Sequence, residues 1–599
     1  MRYLLFFLPF LLAAQSGSPM LPADPLSTFQ SYGANSVSVV PVSETGLPFT
    51  QAIRVVKTST PGLPYSGSVY WAAIADAQEG DLLVATFWIK NGNQNREVLR
   101  VLPAFQSNQP PNYSKALYAN APDDLAQWTR YAIPFRADQL YSHAGNGSSF
   151  QLFFGSAAQT FEVGGISIEN YGQVADPISS SLASQFAFYY PGRGDSQASW
   201  RQKALANIEL FRKAFLIVQV LNPNGTPIPA AQVNIDQTRS AFGWGSAVGA
   251  CRLVGNCLSA GDQQNYTAAV SKFFNVAVME NDLKWPDWEA NRQQSRSGVA
   301  WLKDRGLLVR GHNLIWPNFS TMPSDTASLS PDALRTRIDN HFYDELGTLS
   351  GQLYEWDVVN EPYSSNQVQG LIPGVTGVTP EPGVLGNPEI VSWYQLAASI
   401  DPNTKRYLND YAIFEQFDPV HESYDLALLQ YIAAGGGNIQ GFGFQSHFDQ
   451  SGPVFSDMQR VLADFDPLIG EYGVTEFDFT TVDEQLAADL TQDFMTFIFG
   501  QPKFHEFLMW GFWDGAQWRN SAPLFRQDWT LKPSGAVFER LTQRDWQTHR
   551  TVQTFSDGGV EIRAFKGSYT ITAAVGGKIC SLPVELNGNT KVTIVMNCQ

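Results

Sequence analysis

The chain has 599 residues and a formal net charge of −17, so it is too long for one hydrophobic core and predicts several domains. The acidic balance argues against a nucleic-acid partner or an anionic membrane surface, because a phosphate-binding face needs clustered Lys and Arg. Its 16 Trp, 22 Tyr and 40 Phe supply flat rings that fill cores and also stack on neutral partners.

Residues 1–16 read as a signal peptide, with Arg2 as the positive charge, an apolar run Leu4–Leu12 and small residues at Ala13 and Ala14. That run is too short to span a bilayer. The mature protein is expected to be secreted, with no membrane association. Exported chains favour disulfides over free thiols, and the four cysteines fall into two local pairs, Cys251 with Cys257 and Cys580 with Cys598. No Cys/His spacing suits a metal, so neither a metal nor a cofactor is expected.

Residues 25–172 show short alternating or aromatic-rich runs such as Leu82–Ile89 and Ser149–Gly155, separated by Gly, Pro, Asn and Asp clusters. This pattern predicts a β-sandwich of the jelly-roll kind. Trp71, Trp88 and Trp128 are candidate stacking platforms there. Residues 173–239 read as a linker, a helix from Trp200 to Lys213 and a β-hairpin about the turn Asn222–Gly225, expected to seat the first domain on the next.

From 240 to 545 apolar strands alternate with helix-length amphipathic segments. Eight candidate strands lie around Phe242–Val248, Val276–Asn281, Leu307–Ile315, Tyr354–Glu361, Arg406–Asp410, Gly441–His447, Ile469–Phe477 and Glu506–Phe512. The expected fold is therefore α/β, a (β/α)₈ barrel. Residues 546–599 return to short alternating runs and predict a small C-terminal β appendage stapled by Cys580 and Cys598.

The barrel strands end in polar residues. Glu280, Asn281 and Lys284 follow the second, His312 and Asn313 the third, and Asn360 and Glu361 the fourth. Asn409 and Asp410, then Gln445 and His447, then Glu476 and Asp478, then Trp510 follow in turn. A core has no need of such polarity in register, and active sites of this fold sit at the C-terminal ends of the strands. Glu361 and Glu476 each close an apolar, β-branched run. Two carboxylates facing each other across a barrel mouth are the equipment of glycosidic-bond cleavage.

Seven ordered runs carry a resemblance. Met279–Trp285, Arg310–Trp316, Trp356–Pro362, Leu408–Tyr411, Gly441–His447, Val474–Asp478 and Trp510–Asp514 with Trp518 resemble the strand-end motifs of glycoside hydrolase family 10, whose main activity is endo-1,4-β-xylanase. Thr160–Tyr171 is similar to the last strand of the carbohydrate-binding jelly rolls fused to glycan-degrading enzymes. The first resemblance implies a retaining enzyme with Glu361 as general acid/base and Glu476 as nucleophile. It further implies His447 and Asp478 as the pair orienting the nucleophile, Asn360 on the sugar 2-hydroxyl, and Glu280, Asn281, Lys284, His312 and Gln445 on other hydroxyls. Trp316, Trp510 and Trp518 would wall the pocket, the last two favouring xylose over glucose. Xylan and xylo-oligosaccharides are then the expected partners, with mixed-linkage glucan hydrolysis and a catalytically inactive glycan-binding protein as the alternatives. Pro317 and Ala516–Gln517 depart from the usual pattern, and the long segment Pro362–Pro388 follows the acid/base directly.

Overall fold

The computed structural model describes residues 17–59, 62–93, 97–111, 113–368, 388–415, 418–450, 452–519 and 521–598. The expected signal peptide and most of the Pro362–Pro388 segment lie outside these residues.

Two compact units are present. The first, essentially residues 17–191, is an all-β sandwich. One sheet runs, in spatial order, Gln30–Tyr32, Ser68–Ala72, Ser148–Phe153, Leu102–Ser107 and Lys115–Tyr118. The other runs Ser36–Pro41, Gln51–Lys57, Gln159–Asn170, Leu82–Asn91 and Thr129–Arg136, with Ser18–Pro19 added beside Gln159–Asn170. Period-two alternation drives both sheets, since every second side chain must face the partner sheet. Phe87 meets Phe150 across the interface at 6.2 Å and Phe105 meets Phe135 at 5.7 Å. Trp71 is 1% exposed and packs on Phe150, so it is core and no platform. Trp88 and Trp128 are half-buried, and both abut Phe49.

The second unit contains a closed parallel barrel. Its eight strands are Gly243–Val248, Val276–Met279, Leu308–Gly311, Glu355–Asn360, Lys405–Asp410, Gly441–Phe444, Glu471–Thr480 and Phe504–Met509, and the last pairs in parallel with the first. Crossover helices have the end signals their sequences predict. Ser259 accepts from the Asp262 backbone N–H ahead of Ala260–Phe273, and Asp418 accepts from Val420 and His421 ahead of Pro419–Ala434. Each caps donors that the first helical turn cannot satisfy internally.

The barrel interior carries a buried ionic layer. Arg310, 1% exposed, donates to Glu355 at 2.8 Å and to Asp357 at 2.6 Å, and lies 3.3 Å from Glu506. A guanidinium without water is tolerable only when its fork is fully paired, and three carboxylates supply the partners.

One organisational expectation changes. The turn at Asn222–Gly225 closes a short hairpin, with Leu221 bridged to Pro227 and Ile228 N–H donating to Val220 O at 3.0 Å, but the longer strands beyond it, Lys213–Leu221 and Gln232–Ser240, enter different sheets. Lys213–Leu221 sits between Gly559–Phe565 and Thr590–Val595, and Gln232–Ser240 between His549–Gln553 and Gly567–Val575. The segments before and after the barrel thus build one small β unit around Leu216, Val218, Val233, Ile235, Ile571 and Leu586. Each segment has an apolar face too small to be buried by a hairpin alone. Cys580–Cys598 is bonded within this unit, and Cys251–Cys257 beside the first barrel strand.

Candidate active site

Glu361 is the first residue past the fourth barrel strand. Its backbone is left-handed, φ 50°, with its N–H donated to Asn409 O at 2.9 Å. A non-glycine residue pays for that conformation, on the order of 1 kcal/mol or more, and here the neighbouring strand end holds it. Gln445 Nε2 donates to Glu361 Oε1 at 2.9 Å, and Asn360 Nδ2 lies 3.4 Å from the same oxygen.

Glu476 is 5% exposed and lies within the seventh strand. Asn409 Nδ2 donates to its Oε1 at 2.8 Å, and His447 Nε2 lies 3.1 Å from its Oε2. His447 Nδ1 is 3.0 Å from Asp478 Oδ1. Asp478 Oδ2 in turn accepts from Trp518 Nε1 at 2.7 Å and Gln517 Nε2 at 3.2 Å. The result is a continuous relay from Trp518 and Gln517 through Asp478 and His447 to Glu476.

These surroundings separate the two carboxylates in proton affinity. Burial pushes Glu361 up to about 7, with Asp410 and Glu476 adding negative potential against the Gln445 hydrogen bond. Burial acts on Glu476 the same way, but the His447 hydrogen bond and the attraction of His312, His447 and Lys284 outweigh it and bring the group down to about 2. His447 is driven against its own burial to about 10 by Asp478 and Glu476. At neutral pH the cluster therefore holds a carboxylate at Glu476, an imidazolium at His447 and a carboxyl near its midpoint at Glu361.

The other expected residues gather around this pair. His312 lies 3.9 Å from Glu476 Oε1, and its ring meets Trp510 edge-on at 5.0 Å. Lys284 Nζ accommodates Trp316 and Trp510 at 5.5 and 5.6 Å and donates to Asn281 Oδ1 at 2.9 Å. Asn360 Oδ1 accepts from Asn409 at 2.8 Å. Trp316 Nε1 donates to Ser365 Oγ at 2.9 Å, and Trp518 is 52% exposed beside His447. Glu280 is ion-paired to Arg252, a residue outside the expected set, at 2.6 Å.

Four residues outside the expected set support it. Asn409 bridges Asn360 and Glu476 and is itself held by Thr475 at 2.7 Å. Asp357 accepts from His312 Nδ1 at 2.9 Å and from Arg310, so the barrel's ionic layer fixes the imidazole near Glu476. Gln517, one of the departures from the family pattern, also accepts the backbone N–H groups of Arg519 and Ser521, at 2.7 and 3.0 Å. Asn409 stood among the polar strand ends in the sequence. Arg310 and Asp357 gave no signal beyond falling inside motif runs, and Gln517 stood out in the sequence only as a departure from the family pattern.

Among the described residues, two clusters have the ligand atoms of a metal site, Glu355–His505–Glu506 and the buried Asp410–His421–Asp425. Each already contains a cation. Arg310 serves the first, and His421, raised to about 9 against its burial by Asp410 and Asp425, serves the second from 3.3 Å.

Residues 245–539 match the sequence profile described as glycosyl hydrolase family 10. This segment is a glycosyl hydrolase family 10 domain. Among curated relatives, the anti-sigma-I factor RsgI6 of Acetivibrio thermocellus is 28% identical over 387 residues, covering 63% of this chain and 47% of the relative. Endo-1,4-beta-xylanase 1 of Arabidopsis thaliana is 25% identical over 375 residues, covering 60% and 36%. The chain thus spans less than half the length of either. Among solved structures, native xylanase 10B from Thermotoga maritima is 20% identical, with a TM-score of 0.44, over 51% of this chain and 96% of that one. No helix among the described residues is long and apolar enough to cross a membrane.

Proposed function

We propose that this protein is a secreted retaining endo-1,4-β-xylanase. Glu476 attacks the anomeric carbon and Glu361 protonates the departing oxygen. Glu361, now a carboxylate, then activates the water that releases the covalent glycosyl-enzyme. The observation that carries this reading is the split in proton affinity, about 7 for Glu361 against about 2 for Glu476. An acid/base must exchange its proton near working pH, whereas a nucleophile must stay ionised. His447 and Asp478 keep Glu476 charged and oriented, Asn360 and Gln445 meet sugar hydroxyls, and Lys284, His312, Asn281 and Glu280 line the approach. Trp316, Trp510 and Trp518 form the walls. Both disulfides suit an oxidising compartment.

The substrate assignment follows the relatives named as xylanases. The test is reducing-sugar release from xylan, carboxymethyl cellulose and mixed-linkage glucan by the wild type and Glu476→Ala. Short xylo-oligosaccharides from the wild type alone are expected. Release only from glucans moves the substrate. Release from none of them favours a catalytically inactive glycan-binding protein, since a hydrolase fold by itself does not prove turnover.

A further inference from the structure

The buried cluster Asp410–His421–Asp425 lies against the chain segments that carry Glu361. Helix Pro419–Ala434 presents His421, Tyr424 and Asp425 on one face, as spacings of three and four dictate. That face grips the two residues that follow Glu361. The Tyr424 hydroxyl donates to Pro362 O at 3.2 Å, and the His421 ring stacks on Tyr363 at 3.9 Å. His421 Nε2 also lies 3.3 Å from Asp410 Oδ1. Asp410 adjoins Asn409, whose carbonyl accepts the Glu361 N–H, and its own carbonyl accepts the Gln445 N–H at 3.0 Å.

Burial limits the charge this cluster can hold. All three side chains are at most 1% exposed, and Asp410 Oδ2 and both Asp425 oxygens find no hydrogen-bond partner among the described residues. Two carboxylates about one imidazolium would leave a net negative charge away from water, which is costly. One carboxyl therefore keeps a proton. Asp425 is that one, since burial and the neighbouring Asp410 charge push it well above the usual carboxylate range. Asp410 then forms the ion pair with His421, and its charge is felt at Glu361. The other titratable groups facing the cluster are Tyr363, Tyr411, Asp418 at the helix cap and Tyr394 of helix Pro388–Ile400, and none of these supplies a positive charge. Glu361 itself also faces Glu476 and His447.

We propose that His421 is a positioning residue for the acid/base, acting through Asp410: its imidazolium keeps Asp410 ionised, and that fixed negative charge favours the protonated form of Glu361. The consequence for catalysis rests on the proposed barrel activity, whereas the electrostatic chain from His421 through Asp410 to Glu361 does not. The site then uses two imidazolium groups in opposite senses. His447 touches Glu476 and favours its charge, whereas His421 sustains a charge that opposes ionisation of Glu361.

The test uses His421→Phe in the full chain, which keeps a flat ring against Tyr363 and removes the charge, with Asp410→Asn and Asp425→Asn beside it. Without its cation Asp410 should take up a proton, so Glu361 loses a repulsive neighbour and its proton affinity falls. The alkaline limb of kcat/KM on an aryl xylobioside should move down by about 1 pH unit in both His421→Phe and Asp410→Asn. The rate at pH 8 then falls about tenfold relative to that at pH 5. Asp425→Asn replaces an already neutral carboxyl and should leave the limb in place, and the double variant His421→Phe/Asp410→Asn should move it no further than either single one. The Glu361 carboxyl infrared band, assigned by its loss in Glu361→Gln, is titrated in the same proteins and needs no turnover. Thermal unfolding checks that each variant folds, and His421→Gln replaces His421→Phe where the latter does not. A limb and band unmoved in the folded His421 variant would overturn the proposal, whatever happens to the rate, as would a shift seen with Asp410→Asn only. A wild type that cleaves no xyloside while its band shifts as expected would instead count against the barrel reading alone.

Discussion

Gln445 gives the sharpest test of how the acid/base is tuned. Its Nε2 donates to Glu361 Oε1 at 2.9 Å, favouring the ionised carboxyl, so it holds Glu361 below the value burial alone would impose. Gln445→Met keeps the length of the side chain and deletes the donor. A hydrogen bond to a charged group contributes about 1.5–3 kcal/mol, equivalent to about 1–2 pH units. The alkaline limb of the kcat/KM profile, set in the wild type by Glu361 near 7, should therefore move up to about 8–9. The sign is distinctive, because a damaged enzyme would work over a wider alkaline range. Initial rates on an aryl xylobioside between pH 5 and 10 read this directly. A uniform fall in kcat/KM with the limb unmoved would refute the tuning argument and leave Gln445 as a substrate contact only.

His447→Gln removes the cation beside Glu476 Oε2, so Glu476 should rise from about 2 by about 1–2 units, seen as an acidic limb displaced upward. The same shift appears in stability. The ionised Glu476 stabilises the fold fully above its unfolded value, and that contribution is lost as pH falls through about 2 in the wild type but sooner in the variant, measurable by urea midpoints at pH 3–5. Glu361→Ala should lower kcat/KM on xylan about 10²–10⁴-fold while sparing a substrate whose leaving group needs no proton, and equal losses on both would argue against the acid role. Removing residues 547–599 takes away the partners of Lys213–Leu221 and Gln232–Ser240, so the truncated chain should aggregate or unfold at lower temperature; an unchanged thermal midpoint would contradict the shared core.

Much of the fold was legible because the barrel strands from the second to the seventh close apolar runs with polar residues, a pattern that specifies both the parallel sheet and the end where chemistry occurs. The pair Glu361 and Glu476 with His447 and Asp478 was legible for the same reason. What the sequence could not convey was long-range pairing. Val218 and Ile571 lie in one core although more than 300 residues separate them, and alternation shows only that a strand has an apolar face, never which strand covers it. Arg310 and Asp357 were equally opaque. A charged residue inside a strand reads as a surface or edge position until its partners are known, and here all three partners of Arg310 lie inside the barrel. In the N-terminal unit the mistaken platform Trp71 has a related cause. Composition favours Trp as a sugar contact, but the pleat assigns Trp71 to the core face.

The two barrel carboxylates differ less in burial than in company. Both are held away from water, which by itself would raise both and leave the site with two neutral acids and no nucleophile. The division comes from where cations and donors are placed. His447, locked by Asp478, and His312, locked by Asp357, approach Glu476, whereas Glu361 receives neutral amides, from Gln445 and more distantly Asn360, and faces the negative potential of Asp410 and of Glu476 itself. The ionic layer beneath is thus part of the same device. Arg310 neutralises Asp357, which orients His312 through a fixed hydrogen bond, and a change at the bottom of the barrel is felt at the nucleophile. Asp357→Asn should therefore cost stability by about 3–5 kcal/mol, since it leaves Arg310 short of a buried counter-charge, and in the fraction that folds it should raise the acidic limb as well. A stability loss without that displacement would separate the ionic layer from the chemistry above it.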